Sequence, residues 1–245
     1  MKQCLYFSLF FLPSLAIADA PRWSFITEAG ALYQSVSDVQ IPPKTGTRFS
    51  LIDAVGNGPL PYARMEALYR INGKHGLRLL IAPLAIEEQG QLNQTVIYHG
   101  NTFAANTDTT YRYQFNSYRL SYAYQFYANN GWQWHGGFTG KIRHAEIALT
   151  QGTSKSSFPD LGFVPLLHVA ASKQFTATWQ LLMDMDYSWS PYGRALDLGL
   201  FIHHQLNKHW SLGGGYRTVE GGADVDVVYN FAWLHYAGMR VMMSY

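Results

Sequence analysis

From Thr178 to Trp189 every second residue is large and apolar. Trp179, Leu181, Met183, Met185, Tyr187 and Trp189 share one face, while Thr178, Gln180, Asp184, Asp186 and Ser188 share the other, with Leu182 among them. A period of two is the signature of a strand whose faces meet different surroundings. The pattern recurs. Tyr118, Leu120, Tyr122, Tyr124 and Phe126 oppose Ser117, Arg119, Ser121, Ala123 and Gln125. Met65, Ala67, Tyr69 and Ile71 oppose Arg64, Glu66 and Arg70, and Leu77, Leu79 and Ile81 oppose Arg78. Leu196, Leu198, Leu200 and Ile202 oppose Asp197, Gly199, Phe201 and His203. The final segment sets Tyr229, Phe231, Trp233, Ala237, Met239, Val241, Met243 and Tyr245 against Asn230, Tyr236, Gly238, Arg240 and Ser244.

Ten such segments are expected, near 24–36, 62–71, 76–87, 111–127, 132–150, 163–174, 178–189, 194–205, 210–219 and 228–245. Their connections alternate in length. Short turns fall at 72–75, 128–131, 174–178 and 207–209; longer loops fall near 37–61, 88–110, 151–162 and 220–227. Ser190-Pro191-Tyr192-Gly193 is a short exception on the long side. Segment 48–55 reads as a strand extension or a lid, and 91–98 as a strand of an outer hairpin. Short turns at one end and long loops at the other, with an even strand count, predict an all-β fold: a transmembrane antiparallel up-and-down β-barrel of about ten strands. Eight and twelve strands remain alternatives, as does a secreted β-sandwich. Trp23, Trp132, Trp134 and Trp210 sit beside the short turns, where amphipathic rings would meet a membrane interface.

Composition agrees with strands rather than spanning helices. Aromatic residues make up 16% and charged residues only 14%, yet no run of about 18 apolar residues follows the first twenty. Those first residues have the form of a secretion signal: Lys2, the apolar run Leu5 to Leu12, and Ala16-Ile17-Ala18. The expected division is a signal peptide over 1–18, with cleavage after 20 as the alternative, and one barrel domain over 19–245. Cys4 falls within the signal, so the mature chain has no thiol chemistry. A net charge of +2, dispersed along the chain, gives no footprint for nucleic acid.

Together, the signal, the alternating aromatic strands and the ending Met239-Arg240-Val241-Met242-Met243-Ser244-Tyr245 resemble the small Gram-negative outer-membrane β-barrel proteins. That resemblance implies a bacterial outer-membrane location with both termini periplasmic, surrounded by lipid and lipopolysaccharide. It also makes Met239, Val241, Met243 and Tyr245 an assembly signal read by the barrel-assembly machinery. No cofactor and no metal are expected.

The interior-facing parity collects Arg64, Glu66, Arg70, Arg78, Arg119, Lys141, Arg143, Asp184, Asp186, Asp197, Arg217 and Arg240. On the lipid side, each Arg or Lys at mid-membrane would cost about 2–4 kcal/mol. Both signs are present, so an ion-paired interior that fills a narrow barrel is expected, in a non-enzymatic protein with a structural or surface-interaction role. A narrow, anion-favouring channel is the alternative reading. Asp184 and Asp186 also raise hydrolysis. They resemble the omptin proteases, ten-stranded barrels that pair two aspartates with an aspartate–histidine couple, but no Asp-x-His follows on a neighbouring strand here. His168 with Ser172 suggests lipid chemistry only loosely. Glu220, Asp224 and Asp226 with Gly221-Gly222 suggest an oxygen-rich outer loop, read as a solvated turn rather than a calcium site. His203-His204 and His235 form no metal cluster, since strand neighbours point to opposite faces. His204 and His235 fall on the lipid parity and require either an interface or a bulge.

Overall fold

Ten long strands form the wall in the computed structural model, which describes residues 21–245. The expected signal peptide lies outside the described residues. The strands are β1 (Trp23–Gln40), β2 (Leu60–Arg70), β3 (His75–Ala82), β4 (Asp108–Asn129), β5 (Trp132–Gln151), β6 (Ser154–Gln174), β7 (Trp179–Ser190), β8 (Gly193–Gln205), β9 (Trp210–Val225) and β10 (Val228–Ser244). Each pairs antiparallel with the next, and β10 pairs back onto β1 from Ser24↔Ser244 to Gln40↔Tyr229, closing the barrel. Closure pairs the first strand with the last, so neither end of the sheet is left as an open edge in lipid, where an unpaired backbone group finds no water. The ten-strand expectation holds, and the eight- and twelve-strand alternatives and the sandwich fall away.

The period-two pattern becomes two faces. Leu120, Phe138 and Leu167 are 58%, 68% and 55% exposed on the outside, while Arg119, Lys141 and Arg217 are almost wholly buried inside. Two bulges, at Ser35 and Phe126, each insert one residue and reverse the parity beyond them. Glu28, Leu32 and Gln34 therefore point inward before Ser35, and Ser37 and Val39 after it. β3 stops at Pro83, which has no N–H to donate, and resumes over Ala85–Gln91 in the same register against β4.

Two expected outer loops are corrected. Residues 154–162 and 220–225 continue β6 and β9, so the connections shrink to the tight turns at 152–153 and 226–227. Apart from Phe158 and Leu161 these extensions are polar or glycine-rich, so they carry no sustained apolar alternation. Two genuine long loops remain. Between β1 and β2, Phe49–Ser50 pairs onto Asp38 and Val39 and leads into a short helix, α1 (Leu51–Val55). Beyond the resumed β3, Val96–Tyr98 and Asn101–Phe103 form a small hairpin. Both loops fold inward at their end of the barrel. There Leu32, Val39, Phe49, Leu51, Val96, Tyr98, Phe103, Leu149 and Leu234 make an apolar core.

The wall is uneven. β6 pairs with β7 only from Leu167↔Tyr187 to Gln174↔Gln180, because the β7–β8 hairpin is short; above that level β6 pairs with β5 alone. β2 and β3 also part above Met65↔Ile81, but Tyr62, Leu84 and Tyr236 close that gap to a void of about 20 Å³.

Candidate functional site

All ten strands contribute to one polar layer across the interior. Glu28 comes from β1, Arg64 and Glu66 from β2, Arg78 from β3, Arg119 from β4 and Thr139 from β5. His168 comes from β6, Asp184 and Asp186 from β7, Asp197 from β8, Arg217 from β9 and Arg240 from β10. Period two sends these side chains inward, and closure brings residues distant in sequence within bonding range.

The layer has five arginines and five carboxylates. Arg217 Nη1 and Nη2 donate to the two oxygens of Asp184 at 2.9 and 3.1 Å. Arg217 also reaches Glu28 at 3.2 Å and bonds Asp197. Arg240 donates to Glu28 at 2.7 Å and to Glu66 and Asp184 at 3.2 Å. Arg64 and Arg119 hold Asp197 at 2.9 and 2.8 Å. Asp186 accepts from Arg78 at 2.5 Å, Arg119 at 2.8 Å and Thr139 at 2.9 Å, and lies 2.8 Å from His168 Nδ1. The aromatic face of Phe201 lies 3.8 Å beneath the Arg240 guanidinium. Ions taken from water are tolerated only when they are closely paired and hydrogen-bonded, and removing one partner from such a group typically costs about 3–5 kcal/mol.

Space for the layer comes from missing side chains. A Cβ on Gly199 would lie 2.6 Å from Arg217 Nη2 and 3.0 Å from Asp184 Oδ2. Nearer the turn end, outside the layer, a Cβ on Gly213 would meet the His203 ring at 2.5 Å. Both glycines are where neighbouring large polar groups occupy the position a Cβ would take.

Not every interior residue expected from the sequence joins this layer. Arg70 is exposed at the turn end and enters no ion pair among the described residues. Arg143 pairs with Asp160 above the layer. Lys141 is buried, with its ammonium 4.7 Å from the centre of the Phe115 ring and no carboxylate within 4 Å among the described residues. Glu28 and His168 are additions. Glu28 shares its face with buried Ile26 and Leu32, so it stands in no polar row that the sequence would flag.

Other candidates resolve individually. His203 lies at the turn end, 3.2 Å from Ser211, far along the strand from Asp197. Lipid-facing His204 packs against Trp179 at the turn-end rim. His235 sits beside the Ser35 bulge, 2.7 Å from Ser35 Oγ and 2.5 Å from Tyr216 OH, so both of its ring nitrogens have partners. Glu220 pairs with Arg194, and Asp226 with Lys44; no cluster of metal-ligating side chains occurs among the described residues. Met239 and Val241 face outward on β10, and Tyr245 closes against β1, its backbone N–H donating to Trp23 O at 2.9 Å.

Above the charged layer, toward the loop end, lies a cavity of about 520 Å³. Arg119, Lys141, Asp186 and Asp197 form its polar floor, and Phe115, Phe158, Val164 and Leu234 form its apolar sides.

No family model matches the chain, and no curated protein sequence matches it. Solved structures do match. The outer membrane protease OmpT from Escherichia coli aligns over 91% of this chain and 97% of its own, with TM-score 0.55 and 8% identity. The β domain of the Bordetella autotransporter BrkA aligns over 93% and 100%, with TM-score 0.48 and 14% identity. Neisserial surface protein A aligns over 91% and 97%, with TM-score 0.36 and 14% identity. At such identities the likeness concerns the fold alone. The chain has the fold of the small outer-membrane β-barrels, ten strands closed around a neutralised ionic interior.

Proposed function

We propose that the protein is a non-conducting, non-enzymatic barrel of the Gram-negative outer membrane, with its turn end and both termini in the periplasm. In this reading the barrel anchors and presents the loop-end assembly at the cell surface, in a structural or surface-interaction role. The observation that carries it is the layer of five arginines and five carboxylates drawn from opposite walls. A ten-stranded barrel is only slightly wider than the eight-stranded ones whose interiors side chains fill, whereas porins use about sixteen strands. Lipid and lipopolysaccharide would contact the outward Leu, Phe and Tyr band. The barrel-assembly machinery would read Met239, Val241, Met243 and Tyr245.

The chemistry of the aspartates supports the non-enzymatic reading. Asp186 is held by two guanidiniums, a hydroxyl and an imidazole, and Asp184 by Arg217 and Arg240, which leaves neither free to activate water.

Proteoliposome swelling tests the proposal. Vesicles carrying the folded protein should not swell in small sugars that a general porin passes. Rapid swelling would favour the narrow-channel alternative, and a peptide or lipid hydrolysis lost on Asp184→Asn with Asp186→Asn would favour the enzyme.

A further inference from the structure

One charged side chain at the outer cavity has no opposite partner among the described residues. Each carboxylate that lines it has a cation: Glu146 has Arg112, Asp160 has Arg143, Glu220 has Arg194, and Asp186 and Asp197 belong to the interior layer. Lys141 is the lining cation without a carboxylate within 4 Å among the described residues, although only 4% of it is exposed. The neighbouring Phe115 ring offsets part of the cost of burying that ammonium. A group that could complete its hydrogen bonds would have to occupy the cavity. The cavity above is mostly apolar and falls within the size range of sites for small organic molecules, about 300–1,000 Å³.

The same cavity has a side door. Its lining includes Phe163 to Leu166 of β6 and Ser188 and Ser190 of β7, the two stretches that part above Leu167↔Tyr187. The N–H of Gln174 donates to Gly131 O beside β5, so even-numbered residues of β6 direct their backbone groups toward β5 and odd-numbered ones toward β7. Pro159 and Pro165 are odd-numbered. Each removes one donor that would otherwise point into the unpaired gap, so of the odd-numbered residues from 159 to 165 only Leu161 and Phe163 direct an N–H there. Leu161 and Phe163, 74% and 67% exposed, continue the lipid-facing row beside the gap, and Trp189 and Tyr192 flank its other side. The opening therefore lies on the apolar outer face of the barrel.

We propose that the cavity binds an anionic single-chain amphiphile of the outer leaflet, such as a fatty carboxylate. The ligand passes between β6 and β7, its head group on Lys141 and its chain against Phe115, Phe158 and Val164. No bond is made or broken. The site lies above the charged layer, so a conducting barrel and an empty cavity are separate outcomes, read by different experiments.

The test is photo-crosslinking in phospholipid nanodiscs, using palmitate with a diazirine on its chain and mass-spectrometric mapping of the labelled residues. The expected labels fall on Phe115, Phe158, Val164 and Leu234. They should drop about tenfold with Lys141→Met, the scale of one lost charge-assisted contact, and persist with Lys141→Arg. A hexadecanol probe should label the cavity weakly in all three proteins. Val164→Trp, which narrows the cavity beside the side door and keeps Lys141, should reduce cavity labelling and serves if Lys141→Met does not fold. A lysophosphatidylglycerol probe with the same Lys141 dependence would extend the ligand class to lysolipids. Labels confined to Leu161, Phe163 and Leu167 in every variant, or cavity labels indifferent to the charge at residue 141, would overturn the proposal.

Discussion

Asp186 shows how single residues hold this interior together. Four donors from β3, β4, β5 and β6 converge on its carboxylate, so Asp186→Asn leaves Arg78 and Arg119 short of charge in a closed space. We expect the folded barrel to lose about 3–5 kcal/mol, measured by urea unfolding in detergent micelles. A loss below about 1 kcal/mol, the range of an exposed pair, would mean that the layer is hydrated and loose. At this scale the sequence was partly legible. Arg64, Glu66, Arg78, Arg119, Asp184, Asp186, Asp197, Arg217 and Arg240 stand in alternating rows, and parity alone directs them inward. Glu28 was hidden by apolar neighbours on its own face. His168 could be seen beside Ser172, but its partner proved to be Asp186, since pairing between β6 and β7 decides what stands opposite. Lys141 and Arg143 have the right parity for the layer and yet lie outside its pairing, a matter of height along β5 that periodicity does not encode.

At the scale of elements, the membrane-embedded parts were legible and the protruding parts were not. Strands in lipid alternate because each face meets a different solvent, and the boundaries from Trp132 to Gln151 and from Gly193 to Gln205 agree with the sequence to within a residue. Toward the loop end that contrast fades. The stretch from Ser154 to Gly162, where Phe158 and Leu161 are the only large apolar residues, and the glycine-rich run to Asp224 are strands without a sustained apolar alternation. Buried loops were hard to recognise for the opposite reason: Val96, Tyr98 and Phe103 pack inward on a hairpin of only a few residues. The last strand carries its own prediction. Tyr245 joins β10 to β1 at the seam through bonds between its backbone and those of Arg22 and Trp23, and it ends the outward row Met239, Val241, Met243. Deleting Tyr245 should reduce folded protein in the outer membrane several-fold while refolding from urea into detergent stays close to wild type, measured by heat-modifiable migration on gels. Equal loss in both settings would assign Tyr245 to barrel stability; unchanged outer-membrane levels would remove its role in assembly.

For the whole molecule, three layers succeed one another along the barrel axis. A rim of Trp23, Trp132, Trp134, Trp179 and Trp210 marks the turn end, the ion-paired layer fills the middle, and the cavity and apolar loop core occupy the loop end. Closure is what makes the middle layer possible: Arg217 and Glu28, 189 residues apart in sequence, meet only because β10 returns to β1. A layer that fills the cross-section in this way should block the lumen. Single-channel recording in planar bilayers tests it most directly, with heat-modifiable migration confirming that each protein is folded. The unmodified protein should show no steps, or steps far below those of a general porin, and Arg217→Ala and Arg119→Ala should each increase conductance by removing side chains that span the interior. Large, stable steps from the unmodified protein, unchanged by either substitution, would contradict it.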